Sequence, residues 1–294
     1  MDCATVRAST FVPEEHSMRT TLAFVAATAF ACSALAEDKP INAGPYVPSP
    51  QSVVTDMLKL AGVTENDFVI DLGSGDGRIV LTAAKVFGAR GFGVEIQDKL
   101  VQLSNESARR EGIAERVKFL TQDLFKTDIS QATVLTMYLL PNTVNMLKDK
   151  LLAELRPGAR ILSHDYPLAG WIPEKYVQMD LEDKVQISGV TTTYIYLYVV
   201  PAKLEGAWTA KMPRSVSKGP ARLDLKQQVT RVSGSARLDG KEIPLEDVKL
   251  KGDQLSFRLT GRKGTYSGTV KDNAISGMYE AGSVRTAWSA SLAR

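Results

Sequence analysis

DFVIDLGSGDGRIVLTAAK, residues 67–85, is the stretch on which the fold turns. Asp67 to Asp71 is a short apolar run ending on an acid, the pattern of a buried strand. Gly73, Gly75 and Gly77 follow at alternate positions, and helical periodicity then runs from Asp76 to Phe87. Strand, glycine turn and helix in this order let the backbone approach a ligand closely and aim the free N–H groups of the helix start at it. A dinucleotide fingerprint requires a third glycine where Arg78 stands, which argues against NAD or FAD.

The acids around this loop narrow the ligand. Asp71, at the strand end, suits an ammonium-bearing ligand such as the methionine part of S-adenosylmethionine better than a pyrophosphate. Glu95 ends the next strand, where a carboxylate can accept from both ribose hydroxyls. Asp123, after the third strand in FLTQDLF, can accept from an exocyclic adenine amine. Three acids at three successive strand ends are more specific than one glycine loop, and solvated acids at ordinary turns are the competing explanation.

Outward from the loop, short apolar runs alternate with amphipathic helices. The pattern predicts a helix over Gln51 to Leu60, strands at Gly91 to Glu95, Val117 to Leu120, Thr133 to Tyr138 and Arg160 to Ser163, and helices over Lys99 to Glu111 and Thr143 to Leu155. Such alternation builds a parallel sheet covered on both faces. KVQISG and TTYIYLYVVP then predict an antiparallel hairpin at the sheet edge. From Leu204 the sequence shifts to Gly, Lys, Thr and Ser with short alternating runs and turn signals such as Asp239-Gly240, the signature of an all-β sandwich or barrel. The expected organisation is an N-terminal leader over 1–36, a Rossmann-like seven-stranded α/β domain over 37–201 and a small all-β domain over 202–294.

PYVPSPQSVVTDMLKLAGVTENDFVIDLGSGDGRIVLTAAK, with GVEI, DLF, ATVLTMYLLPN and LRPGARILSHDYPLAGW, resembles the seven-stranded, S-adenosylmethionine-dependent protein-lysine methyltransferases of mitochondria that act on the ADP/ATP carrier and the c subunit of ATP synthase. It is more distantly similar to the non-SET histone lysine methyltransferases. The resemblance covers residues 44 to 200. It implies that Asp71, Gly73, Ser74, Gly75, Gly77, Glu95 and Asp123 hold the cofactor, with Pro48 and its neighbours closing over it. Tyr138, Leu139, Leu140 and Pro141 would border the channel by which a lysine amine reaches the methyl group.

A lysine acceptor must arrive neutral, against a free-solution pKa of ~10.4, so desolvation or a nearby proton acceptor is needed. Tyr138 could hold the amine by its ring face and hydroxyl, and His164 or Asp165 could take the proton. Plain core packing for Tyr138, and a loop-orienting role for His164, are the competing explanations.

Arg19 ahead of the apolar run Leu22 to Phe30, with Ala34-Leu35-Ala36 before Glu37, predicts a cleavable export leader and a periplasmic or secreted protein. An uncleaved leader tethering the chain to a membrane is the alternative. Both cysteines, Cys3 and Cys32, precede the cut, so cysteine chemistry and cysteine metal sites are excluded from the mature chain, and the one remaining histidine builds no metal cluster. Net charge is +3, yet from Pro201 onward 17 Lys and Arg face 9 Asp and Glu. A solvated β surface explains this; contact with an anionic envelope component or peripheral association with a membrane is the sharper expectation. No nucleic acid partner is expected. The basic β domain and the leader depart from the mitochondrial enzymes, so two rivals stand beside a protein-lysine acceptor: a small-molecule or envelope-lipid acceptor, and an exported non-catalytic binding protein.

Overall fold

The computed structural model describes residues 45–182, 184–185 and 189–293. The expected leader, with Cys3 and Cys32, lies outside them. The chain enters extended through Pro45 to Pro50, as its prolines dictate, into α1 (Gln51–Leu60). There follow β1 (Phe68–Leu72), α2 (Arg78–Phe87), β2 (Arg90–Glu95), α3 (Asp98–Arg110), β3 (Val117–Thr121), β4 (Val134–Met137), α4 (Pro141–Met146), α5 (Lys148–Glu154), β5 (Arg160–His164), β6 (Lys175–Asp180) and β7 (Thr192–Val199).

These strands form one seven-stranded sheet in the order β3-β2-β1-β4-β5-β7-β6, with β7 antiparallel to both neighbours. Alternation decides which core each side chain joins. Val69, Val134, Leu162, Ile195 and Leu197 pack on one face with Val53, Val54, Met57 and Leu58 of α1. Ile70, Leu72, Leu135, Met137 and Ile161 pack on the other with Val144, Leu147, Leu151 and Leu155. Each such side chain, fully removed from water, contributes ~1.5–3 kcal/mol before entropy is counted.

Two expectations need correction. The partner of β7 is Lys175–Asp180, upstream of the expected KVQISG. Val177 and Met179 alternate with the exposed Tyr176, Gln178 and Asp180, so this segment turns a half-apolar face onto the sheet core. The single helix expected over 143–155 is two helices that meet at Leu147. Asn145 supplies a local alternative to the helical ladder, donating its amide to Pro141 O and accepting Ala169 N–H.

Beyond Val199 the chain builds β8 (Gly206–Lys211), β9 (Ala221–Gln228), β10 (Arg231–Leu238), β11 (Lys241–Lys251), β12 (Gln254–Leu259), β13 (Thr265–Lys271), β14 (Ala274–Ala281) and β15 (Val284–Leu292). Each pairs antiparallel with its sequence neighbours and β15 closes on β8, so the all-β domain is a closed eight-stranded barrel in which every strand has two partners. Asp239-Gly240 makes the β10–β11 turn with both residues at positive φ, +47° and +82°, as a two-residue hairpin of this hand requires. Trp208 and Trp288 are buried in the barrel core with Phe257, Tyr266 and Tyr279. Val229, at the β9–β10 turn, packs against the core of the α/β domain, and Ala202 N–H donates to Gly252 O.

Candidate active site

The loop after β1 is tied down by backbone bonds. Gly73 and Ser74 N–H both donate to Val94 O at 2.9 Å, and Gly77 N–H donates to Ser74 O at 2.8 Å. Gly75 has φ +53°, and a Cβ there would stand 2.5 Å from the Tyr46 ring, so this glycine is demanded twice. Above the loop, segment 45–50 covers the resulting cleft, which is lined by Pro48, Asp71, Gly73, Ser74, Gly75, Glu95, Asp123, Tyr138 and Leu139 among others.

The acids named from sequence thus share one cleft, each held differently. Asp71 is buried and accepts the Thr136 hydroxyl at 2.6 Å. Burial, with smaller contributions from the Glu95 and Asp76 charges, outweighs that bond and pushes its carboxyl up to about 7. One Glu95 oxygen accepts Gly75 N–H at 3.1 Å and the other accepts Ile96 and Gln97 N–H. Asp123 accepts Phe125 N–H at 2.8 Å, which orients its carboxylate at the end of β3.

Ser74 Oγ is buried and has no hydrogen-bond partner among the described residues. An orphaned hydroxyl beside a buried acid whose charge burial opposes is unstable company unless a polar, cationic ligand pairs with both. These acceptors fit S-adenosylmethionine: Asp71 would face its ammonium, Glu95 its ribose hydroxyls and Asp123 its adenine amine.

Five residues named from sequence fall elsewhere, among them Leu140, which is exposed and does not line the cleft. Gly77 is not on the cleft wall. It caps α2 at φ +80°, and a Cβ would meet the Phe119 ring at 2.6 Å, so its glycine is a packing requirement. Pro141 is exposed at the first position of α4, where a missing N–H costs nothing, and does not line the cleft. His164 lies fully buried behind Tyr138, its ring 3.9 Å from the tyrosine ring. Its Nδ1 meets Ser49 Oγ at 2.8 Å and its Nε2 meets Thr193 Oγ1 at 2.7 Å. With burial lowering its pKa to about 4 and both nitrogens engaged, it is unsuited to accept a substrate proton. Asp165 likewise does not line the cleft; it accepts Tyr138 OH at 3.0 Å.

Arg78 enters the site by a route that no motif announces: its guanidinium pairs with Asp76 and donates to Ser49 O at 2.7 Å. Its position, where a dinucleotide fingerprint has glycine, is the available signal. Thr136, Thr193 and Lys184 are silent in sequence, since a lone hydroxyl or amine in a strand or connection carries no motif. Lys184 Nζ donates to Asp165 Oδ1 at 2.8 Å and to Thr192 O.

Known proteins share this cleft's sequence. A family model described as the ANTKMT methyltransferase domain matches residues 71–175. A protein-lysine N-methyltransferase of Saccharolobus islandicus is 41% identical over 157 residues, 53% of this chain and 93% of that protein. A Xenopus laevis lysine N-methyltransferase named for the c subunit of ATP synthase is 34% identical over 152 residues, 52% of this chain and 62% of that protein. Among solved structures, an RNA methyltransferase from Salinibacter ruber with bound S-adenosyl-L-homocysteine is 42% identical, covering 54% of this chain and 96% of that chain at a TM-score of 0.48.

Proposed function

Because the chain belongs to the family of S-adenosylmethionine-dependent protein-lysine N-methyltransferases, we propose that it methylates the ε-amine of a lysine in a protein acceptor, which enters beside Tyr138 and Leu139. The observation that carries this reading is the single cleft shared by Asp71, Glu95 and Asp123, whose far wall is the end of β4. Bound S-adenosylmethionine supplies an electrophilic methyl on a sulfonium, so the protein's task is positioning more than acid–base work.

Tyr138 is suited to receive the amine. Burial and the Asp165 carboxylate push its phenol well above the ordinary value, so it stays protonated. Its hydroxyl donates to Asp165, which leaves oxygen lone pairs and a ring face for the acceptor nitrogen. Leu139, buried against Gly73, adds an apolar wall that favours the neutral amine over the ammonium. Incubating the chain with methyl-labelled S-adenosylmethionine and cell-envelope proteins should give lysine peptides in which one or more amine hydrogens are each replaced by a labelled methyl group. Label appearing only in lipid or small-molecule fractions would move the acceptor to those classes.

The leader motif around Ala34-Leu35-Ala36 supports export with cleavage before Glu37. Sequencing the N-terminus of protein from the native host checks it, and an intact leader would favour the tethered form. The excess of 17 cationic over 9 anionic residues from Pro201 onward supports contact of the barrel with an anionic envelope surface. Sedimentation with anionic against neutral vesicles tests that, and equal behaviour with both would sink it.

A further inference from the structure

The groups behind Tyr138 form a chain whose proton order is fixed by counting. Thr193 Oγ1 lies 2.8 Å from Asp165 Oδ1, and an ionised carboxylate only accepts, so the threonine proton points at Asp165. Burial works to raise the Asp165 carboxyl, but the groups around it, the His164 ring, the Lys184 ammonium and the hydrogen bonds from Tyr194 N–H and Thr193, hold it below the ordinary value. Thr193 has no second proton, so His164 Nε2 donates to it. The neutral ring then has a bare Nδ1, which accepts the Ser49 hydroxyl. Every bond runs one way, from Ser49 in the covering segment to Asp165.

We propose that Ser49–His164–Thr193–Asp165 is a latch coupling closure of segment 45–50 over the cofactor to the placement of Tyr138 on the acceptor side, with His164 and Thr193 as positioning residues. It rests on the reading of the cleft as an S-adenosylmethionine site. Two anchors meet at Ser49: its carbonyl accepts from Arg78, which is paired to Asp76 of the glycine loop, and its hydroxyl enters the chain to Asp165. Asp165 is held at φ +62°, an uncommon conformation for a residue with a side chain, and donors from Tyr138, Thr193, Lys184 and Tyr194 N–H over-determine it. His164 and Thr193 are fully buried and Ser49 nearly so, so in the closed arrangement the links are shielded from water. Opening the segment strands the His164 acceptor, loosens the ring on which Tyr138 stacks, and so removes the acceptor wall until the cofactor is enclosed.

The test reads S-adenosylhomocysteine affinity by calorimetric titration and so needs no identified acceptor. Thr193→Val removes the hydroxyl at a residue that does not line the cleft. Mere structural support would lower the melting temperature and leave affinity untouched. The latch instead requires a loss of about tenfold, of the order set by an unpaired buried donor, a similar loss in Ser49→Ala, no further loss in the pair, and recovery in Thr193→Ser. Unchanged affinity in Thr193→Val, or losses that multiply in the pair, would overturn it. Should Thr193→Val not fold, Ser49→Ala with Asp165→Asn runs the same cycle, since asparagine accepts this backbone conformation. Failure of the wild-type chain to bind would strike down the cofactor site itself, an outcome separate from failure of the coupling alone.

Discussion

The Asp71 carboxylate and the Thr136 hydroxyl, on the adjacent strands β1 and β4, meet at 2.6 Å inside the sheet. This bond pulls the Asp71 carboxyl down while burial pulls it up, and burial wins, leaving it at about 7 against an ordinary 3.8. Between those values the folded chain holds a proton that the unfolded chain has released. Raising the pH from about 4 to about 7 therefore lowers the stability of the ligand-free protein through this group.

Ligand binding should show the opposite slope. A bound ammonium favours the ionised carboxylate, so S-adenosylhomocysteine affinity should rise as pH climbs toward about 7 and flatten above it, with a proton released on binding. Titrations below pH 7 in two buffers of different ionisation heat measure that proton. Asp71→Asn should bind weakly and without the slope; a slope that persists would place the titrating group elsewhere.

Gly75→Ala should damage the site with little harm to the fold. The added methyl would stand 2.5 Å from the Tyr46 ring at φ +53°, a backbone cost of ~1–2 kcal/mol plus displacement of the covering segment. The expected result is a melting temperature lowered by a few degrees and a cofactor affinity lowered far more. Equal, proportionate losses in both would mean that Tyr46 does not close over the loop in solution.

Tyr138→Phe keeps the ring against His164 and removes the bond to Asp165. Methyl transfer should fall roughly five- to tenfold, the worth of one net hydrogen bond, at unchanged S-adenosylhomocysteine affinity. Parallel loss of affinity would assign the hydroxyl to the cofactor side of the cleft.

Which parts of this site can be read from sequence depends on how local each signal is. The loop from Gly73 to Gly77 and the acids at strand ends are written in consecutive residues, so the cleft and most of its cofactor wall can be read directly. Asp165 stands out as a strand-end acid, but its four donors come from Tyr138, Lys184, Thr193 and Tyr194, which only the sheet order β4-β5-β7 brings together. His164 misleads for the same reason: a histidine after a strand looks available, and its burial depends on partners 115 residues before it and 29 after. In the barrel, β11 is obscured because Pro244 and the acidic pair Glu246 and Asp247 break the alternation. The structure absorbs them in a register shift between Glu246 and Lys249, with Asp247 at φ +52°.

The barrel offers a separate check on how independent the two halves are. Trp288 donates its indole N–H to Ser267 O, and its ring fits over Gly268, where a Cβ would come within 3.3 Å of it. Phe257 and Tyr266 meet that ring edge-on at 5.5 and 5.7 Å. Trp288→Ala should cost ~3–5 kcal/mol, enough to unfold a small barrel. Yet the cleft draws its lining from residues 45 to 139, so S-adenosylhomocysteine binding should survive while barrel amides lose protection from hydrogen exchange. Loss of binding with the barrel would show instead that the α/β domain depends on the Val229 and Gly252 contacts for its own stability, making the barrel a structural partner of the enzyme as well as a surface.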